Sequence, residues 1–213
     1  MAIGNLAPCL GVTLKHEGGY SSNRNDRGNW TSGKVGVGVL KGTKYGIAAH
    51  AYPNLDIKNL TIDDVKPIYE KDYWKPARCE NLPFGVDLAV FDFAVNSGVS
   101  RSVKYLQGVL GVAADVNAGS KTIAAAVAAD GKATIQKLSA KRLSFVKGIP
   151  NFSAFIKGVS RRIADIEAKA VAMWLTRGTG KLTDANRVEM QNESAKAGNK
   201  SVTQDKSAKG SAG

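Results

Sequence analysis

Apolar residues recur at Ile3, Leu6, Leu10 and Leu14, three and four positions apart, and predict an amphipathic helix near the start of the chain. The tandem Gly18-Gly19 would stop it, because glycine readily takes the left-handed conformation beyond a helix C-terminus. Farther on, the pattern changes to alternating valine and glycine from Val35 to Val39, which predicts a short hairpin within residues 29–41. Thr61-Ile62-Asp63-Asp64 reads as an N-cap with acids in the first turn. It opens a helix through Ile68, Tyr69, Tyr73 and Trp74, which Pro67 would bend or delay. Residues 86–98 are apolar nearly all round, the mark of a buried central helix. Four more helices follow. The first is capped by Ser100 and carries Val103, Leu106 and Leu110 on one face; the second is alanine-rich, from Ile123 to Asp130. The third runs through Leu138, Leu143 and Val146, and the last follows a break at Gly148-Ile149-Pro150. That last helix carries Phe152, Phe155, Ile156, Val159, Ile163, Ile166, Ala170 and Met173-Trp174 at helical spacing. From Thr183 the apolar residues thin out, and residues 183–213 read as a flexible, mostly disordered tail. The expected class is mainly α with a small hairpin.

Composition changes this picture in two ways. With 213 residues and 43% hydrophobic content, the chain can bury a sizeable core. Its 30 Lys and Arg against 18 Asp and Glu give a net charge of +12, so its surface attracts polyanions. Candidates are nucleic acid, anionic lipid and the acidic polymers of a cell envelope. No zinc-finger spacing, basic-zipper heptad or clear helix-turn-helix supports a specific nucleic-acid reader. Cys9 and Cys79 stand too far apart for a metal knuckle, and two buried free thiols are the default expectation. The first residues lack a basic, then apolar, secretory pattern, and no run approaches the roughly 18 apolar residues of a membrane span. His16 and His50 join no convincing ligand set, so neither a metal nor an organic cofactor is expected.

The candidate chemistry starts at His16-Glu17-Gly18-Gly19-Tyr20, followed by Asp26 nine residues after the glutamate. Placed in the last turn of the first helix, Glu17 would meet a dipole that disfavours negative charge and so keeps a proton on it. Such a carboxyl suits a general acid; the plainer alternative is an exposed helix-end residue. The polar turn from Asn23 to Gly28 can set a second carboxylate, Asp26, opposite the first. Hydrolysis of a glycosidic bond commonly takes two carboxyls, and their separation decides between retention and inversion.

Glu17-Gly18-Gly19-Tyr20, Asn25-Asp26-Arg27-Gly28 and Gly42-Thr43-Lys44-Tyr45-Gly46-Ile47 together resemble the signature of the glycoside hydrolase family 108 muramidases. These are phage endolysins and related bacterial enzymes of lysozyme-like fold that cut peptidoglycan. The resemblance implies a lysozyme-like α+β domain over residues 1–182, with a catalytic part at 1–98 and a helical, peptidoglycan-binding-like part at 99–182. It implies Glu17 as general acid, Asp26 and Thr43 in supporting catalytic roles, and Tyr20, Tyr45 and Asn96 at the substrate. The 29–41 stretch then resembles an insertion. Trp30 within it either stacks on a sugar or covers the hairpin. Gly158-Val159-Ser160-Arg161-Arg162 resembles a family motif that would bring Arg162 to Glu17; both arginines facing solvent is the alternative. Asp92 and Asn96, one turn apart, either form a hydrogen-bonded pair or line a cleft floor. In the turn 111–122, Val116 stands where the family has glycine.

The implied activity is cleavage of the β-1,4 bond between N-acetylmuramic acid and N-acetylglucosamine by a monomeric protein that binds peptidoglycan and the anionic envelope. It would be made in a host cytoplasm and reach the wall by a holin-type release. Two alternatives remain: a lytic transglycosylase, and a non-catalytic cationic protein that binds or permeabilises the envelope. A nucleic-acid binder ranks after both.

Overall fold

The first helix, α1 (Leu6–Leu14), ends three residues before Glu17. The amides of His16 and Glu17 close it with bonds of 3.0 and 3.2 Å to the carbonyls of Thr13 and Leu14, the tightened i to i−3 pattern common at helix ends. Glu17 therefore lies in the turn after the helix rather than in its last turn. Gly18 and Gly19 are not left-handed, and the chain runs on through them without regular structure. In this computed structural model, residues 2, 4–150 and 153–176 are described, with the side chains of the last stretch from residue 156 on. The predicted tail and Phe152 lie outside them.

Two compact units emerge. One unit is Gly11–Ile68; the other holds residues 2–10 and 69–176. In the Gly11–Ile68 unit the regular sheet is a two-stranded hairpin, β1 (Thr43–Lys44) with β2 (Ile47–Ala48), in the register Thr43 to Ala48 and Lys44 to Ile47. Its two-residue loop, Tyr45-Gly46, has φ of +51° and +71°, as the tight primed turn demands. The hairpin thus falls just after the 29–41 stretch. Within that stretch an isolated bridge joins Trp30 to Leu40, while three left-handed glycines, Gly33, Gly36 and Gly38, curl the segment between them. Val35, Val37 and Val39 stay exposed.

The helix α2 (Ile62–Tyr69) starts as expected. The Thr61 hydroxyl accepts from the Asp64 amide at 3.2 Å, and the Asp64 carboxylate accepts from the Thr61 amide at 2.8 Å, a reciprocal cap. Pro67 sits inside α2, and after Tyr69 the helix widens into a π turn over Glu70–Trp74.

The other unit is built on α3 (Val86–Ser97), whose residues from Val86 to Ala94 are all buried. Around it pack α4 (Val99–Leu110), α6 (Gly131–Lys147) and α7 (Ser153–Thr176), while α5 (Ser120–Ala128) packs on α4 and α6. Asp130, expected to end the alanine-rich helix, instead caps α6 by accepting from the Ala133 amide at 2.9 Å. Likewise α4 starts at Val99, one residue before the predicted Ser100 cap. Gly85, at the head of α3, has φ of +82°, and a Cβ there would collide with the carbonyl oxygen of Ala170 in α7. Side-chain size is therefore what lets α7 approach.

Two carboxylates buried on α3 must be satisfied. Asp92 does not pair with Asn96. Arg142 of α6 donates to its Oδ2 at 2.7 Å, and Arg162 of α7 donates to its Oδ1 at 2.7 Å. Burial alone would push the Asp92 carboxyl up, but the two guanidinium groups outweigh it and hold it below the usual range. Asp87 has no cation among the described residues. It accepts from Asn5 Nδ2 at 2.5 Å and from the Leu88 amide at 2.7 Å, with the Cys9 thiol 3.8 Å away. Burial dominates there and raises its pKa to about 7. Cys9 and Cys79 are both free and fully buried, and burial pushes both thiols well above their ordinary range.

Asp87 sets a pH dependence. Its folded pKa lies above the ordinary carboxylate value, so its contribution to stability is complete below about pH 4 and is lost as pH rises through about 7. Asp87→Asn keeps an oxygen for Asn5 but cannot ionise. Its stability relative to the wild type should therefore grow by on the order of 4 kcal/mol between pH 4 and 8. Denaturant midpoints across that range give the measurement, and parallel curves would refute it.

Val116 offers a second test. Its φ of +61° is a left-handed conformation that a β-branched residue adopts at a cost, and its amide is held there by Gln107 Oε1 at 3.1 Å. Val116→Gly should stabilise the protein by about 1 kcal/mol, read as a rise in melting temperature.

Candidate active site

Five of the seven predicted site residues fall in the Gly11–Ile68 unit, and backbone pairing joins the segments that carry them. Beyond Glu17 the chain runs alongside β1. Ser21 and Thr43 exchange amide-to-carbonyl bonds of 2.9 and 2.8 Å, and the Tyr45 amide donates to the Gly18 carbonyl at 3.2 Å. The Glu17 turn is thereby tied to the strand that bears Thr43. Glu17 is half-buried, and Gly18 to Tyr20 are exposed.

Gly42 makes the crossing possible. Its φ is +85°, and a Cβ would lie 2.5 Å from the Ser21 carbonyl oxygen and 2.6 Å from Tyr20 Cε2. The Tyr20 ring therefore rests on bare backbone, with 36% of the residue exposed. It presents a partly open aromatic face. Tyr45 does not. The residue is 7% exposed, and burial raises its phenol pKa. It serves the hairpin loop, with Lys44 Nζ 5.3 Å from its ring centroid.

Asp26 is exposed and held at the base of a short turn. It caps the 3-10 helix Arg27–Asn29, its Oδ1 accepting from the Gly28 amide at 2.8 Å. Gly28 is crowded as well: a Cβ would lie 3.2 Å from Asp26 Oδ1 and 3.6 Å from His50 Nδ1. A larger residue would disturb the carboxylate's seat.

The residue that joins the Asp26 turn to Thr43 is Asn29, which sequence reasoning set aside as the start of an insertion. It is fully buried. Its Nδ2 donates to the Asn23 carbonyl at 3.0 Å, which turns Oδ1 toward Thr43, and Thr43 Oγ1 donates to that oxygen at 2.7 Å. The Asn29 carbonyl also accepts from the amides of Lys41 and Gly42, both at 3.0 Å. With the Thr43 hydroxyl proton committed to Asn29, the oxygen's lone pairs are left to accept, as an oxygen that orients a water must. The available signal was spacing: a small amide three residues after the Asp26 cap, where a short turn points back on itself. Trp30 is pinned by its indole N–H, which donates to the Arg24 carbonyl at 2.9 Å.

Asn96 and Arg162 belong to the helical unit. Asn96 is exposed near the end of α3, its Oδ1 accepting from the Ser97 hydroxyl at 3.0 Å. Arg162 is buried, contrary to the solvent-facing alternative, and it donates to the Asp92 carboxylate. Arg161 is exposed.

A pair of carboxyls on turns, a hydroxyl set up to accept and a partly open aromatic ring thus lie in the Gly11–Ile68 unit of a mainly helical chain with a small hairpin. The glycosyl hydrolase 108 family model matches residues 10–98, which include Glu17, Asp26 and Thr43. The solved structure of Brucella abortus SagA is 33% identical to this chain, with a TM-score of 0.67 over 81% of this chain and 97% of that one. No curated protein sequence matches. The chain belongs to the glycosyl hydrolase 108 family. The family model stops at residue 98, whereas the likeness to SagA runs on into the helices beyond it.

Asn29→Ala tests the joint. Removing one partner of a buried hydrogen-bonded group costs about 1–3 kcal/mol, so this variant should unfold at a distinctly lower temperature. Thr43→Ser, which keeps the hydroxyl, should lose far less. Equal melting of Asn29→Ala and wild type would show that the joint does not bear on the fold.

Proposed function

We propose that this protein is a peptidoglycan hydrolase, an N-acetylmuramidase that cleaves the β-1,4 bond between N-acetylmuramic acid and N-acetylglucosamine. Glu17 protonates the leaving oxygen as general acid. Asp26 either positions the attacking water or stabilises the oxocarbenium-like transition state as positive charge builds at the anomeric carbon. Thr43 accepts a proton of that water in a hydrogen bond, and Tyr20 stacks on a sugar ring. The observation that carries this reading is the Asn29–Thr43 hydrogen bond. It fixes the hydroxyl as an acceptor on the strand to which the Glu17 turn is tied.

The same bond favours hydrolysis over the lytic transglycosylase alternative. A transglycosylase closes the muramic acid on its own hydroxyl and has no use for a held water, whereas Thr43 is arranged to receive one. Arg162 is the supporting residue in this scheme. The physiological role that fits is lysis: an endolysin that reaches the wall through a holin-type release.

Purified peptidoglycan, followed by turbidity and by mass spectrometry of the fragments, tests the assignment. Wild type should clear the suspension and leave reducing N-acetylmuramic ends. Glu17→Gln should be slower by on the order of a thousandfold, the scale of a lost general acid. Anhydro-muramic ends would move the assignment to a transglycosylase. Equal clearing by both proteins would remove Glu17 from the mechanism, and no clearing by either would favour the non-catalytic envelope-binding reading.

A further inference from the structure

The charge of this chain is unevenly distributed. Residues 93–164 contain eleven Lys and Arg against two acids, Asp115 and Asp130, a net +9 out of the +12 of the whole sequence. Neither α4 nor α6 has an acidic residue. Arg142 and Arg162 are committed to the buried Asp92, and the other nine cations are exposed.

Between α4, α6 and the turn Gly148–Pro150 lies a groove of about 780 Å³. Tyr105 and Phe145, with ring centroids 5.9 Å apart, line it together with Ile149 and Pro150. Two ammonium groups also border it, those of Lys104 and Lys141. Lys141 Nζ lies beside Gly108, one turn after Lys104 on α4, at ordinary contact distance (3.6 Å) from where a Cβ would stand. The Lys141 ammonium thus crosses to the face of α4 that also presents Lys104. The groove lining contains no acid to offset these two like charges.

The lining chemistry selects the ligand. A glycan needs many neutral donors and acceptors to read its hydroxyls, and the polar side chains here are the hydroxyls of Tyr105 and Ser144 besides the two lysines. Stacked nucleobases need open aromatic faces. Here the guanidinium of Arg101 covers Phe145 at 4.4 Å, and the Tyr105 ring is engaged edge-on with Phe93 as well as Phe145. A paired cationic rim over an apolar trough instead matches an anionic amphiphile. We propose that this groove is a docking site for the anionic phospholipid surface of a membrane. A headgroup phosphate sits between Lys104 and Lys141, and the adjoining glycerol and acyl carbons lie against Tyr105, Phe145 and Ile149. This inference does not depend on the glycosidase reading, because its test reads binding rather than turnover.

The experiment is flotation of the full chain with phosphatidylglycerol vesicles, beside vesicles of phosphatidylcholine alone. The protein should float with the first and not with the second. A lysine near an anionic surface contributes about fivefold, so Lys104→Ala/Lys141→Ala should bind about thirtyfold more weakly. The matched double variant Lys132→Ala/Lys137→Ala removes the same charge from α6 residues outside the groove and should lose far less. All four side chains are exposed, so folding is not at issue. Equal loss in both variants would overturn the groove in favour of diffuse charge. No flotation with phosphatidylglycerol would overturn it outright. Tighter binding of a single-stranded oligonucleotide or of peptidoglycan sacculi, with the same dependence on Lys104 and Lys141, would reassign the groove to that polymer.

Discussion

A carboxylate inside an apolar helix is what the helical unit has to accommodate. Asp92 lies on the most buried helix of the chain, and two helices distant in sequence each supply an arginine to neutralise it. Taking three charges out of water is costly, and removing one partner of such a set typically costs about 3–5 kcal/mol. The arrangement is therefore a constraint on geometry more than a source of net stability: α6 and α7 must dock on α3 at the depth and rotation that let both guanidinium groups reach one carboxylate. Arg142 bears the strain of this. Its Nε and Nη2 make no hydrogen bond among the described residues, and its guanidinium lies 5.1 Å from the Phe93 ring centroid. An aromatic face offers a partial substitute for the missing acceptors.

The helices were largely legible because the burial that forms them is written as local periodicity. Residues 86–98 could be read as the central helix from their lack of any polar face, and the Thr61–Asp64 cap from its residue types alone. Where reading failed, the deciding partner was far away in sequence. For Asp92 and Asn96, one turn apart, a local pair was one of two readings, but the partners of Asp92 lie 50 and 70 residues later. The hairpin was expected where valine and glycine alternate; in the structure, left-handed glycines curl that stretch instead, and the tight Tyr45-Gly46 loop nucleates the strands just beyond it.

The candidate site shows the same division. Glu17, Asp26 and Thr43 became candidates through motifs that resemble a known family, and each sits on a local turn or hairpin strand. The position of Glu17 beyond α1 could not be read that way, because it depends on where the helix exchanges its internal bonds for pairing with β1. Nor could the role of Asn29. Its two side-chain bonds reach Asn23 and Thr43, six residues back and fourteen forward, and nothing in the local pattern marks a residue whose value lies in orienting another residue's proton. The 29–41 stretch that looked like an addition begins with the residue that joins the two halves of the site.

The two cysteines carry a consequence for how this protein can be observed. Both thiols are enclosed and held in the protonated form, on a helix and a short turn that meet at Asp87 in the helical unit. A thiolate is the reactive species, so neither sulfur attacks an alkylating reagent while the unit stays shut. Their modification then runs no faster than the unit opens, and each protein molecule carries two built-in clocks for its own breathing.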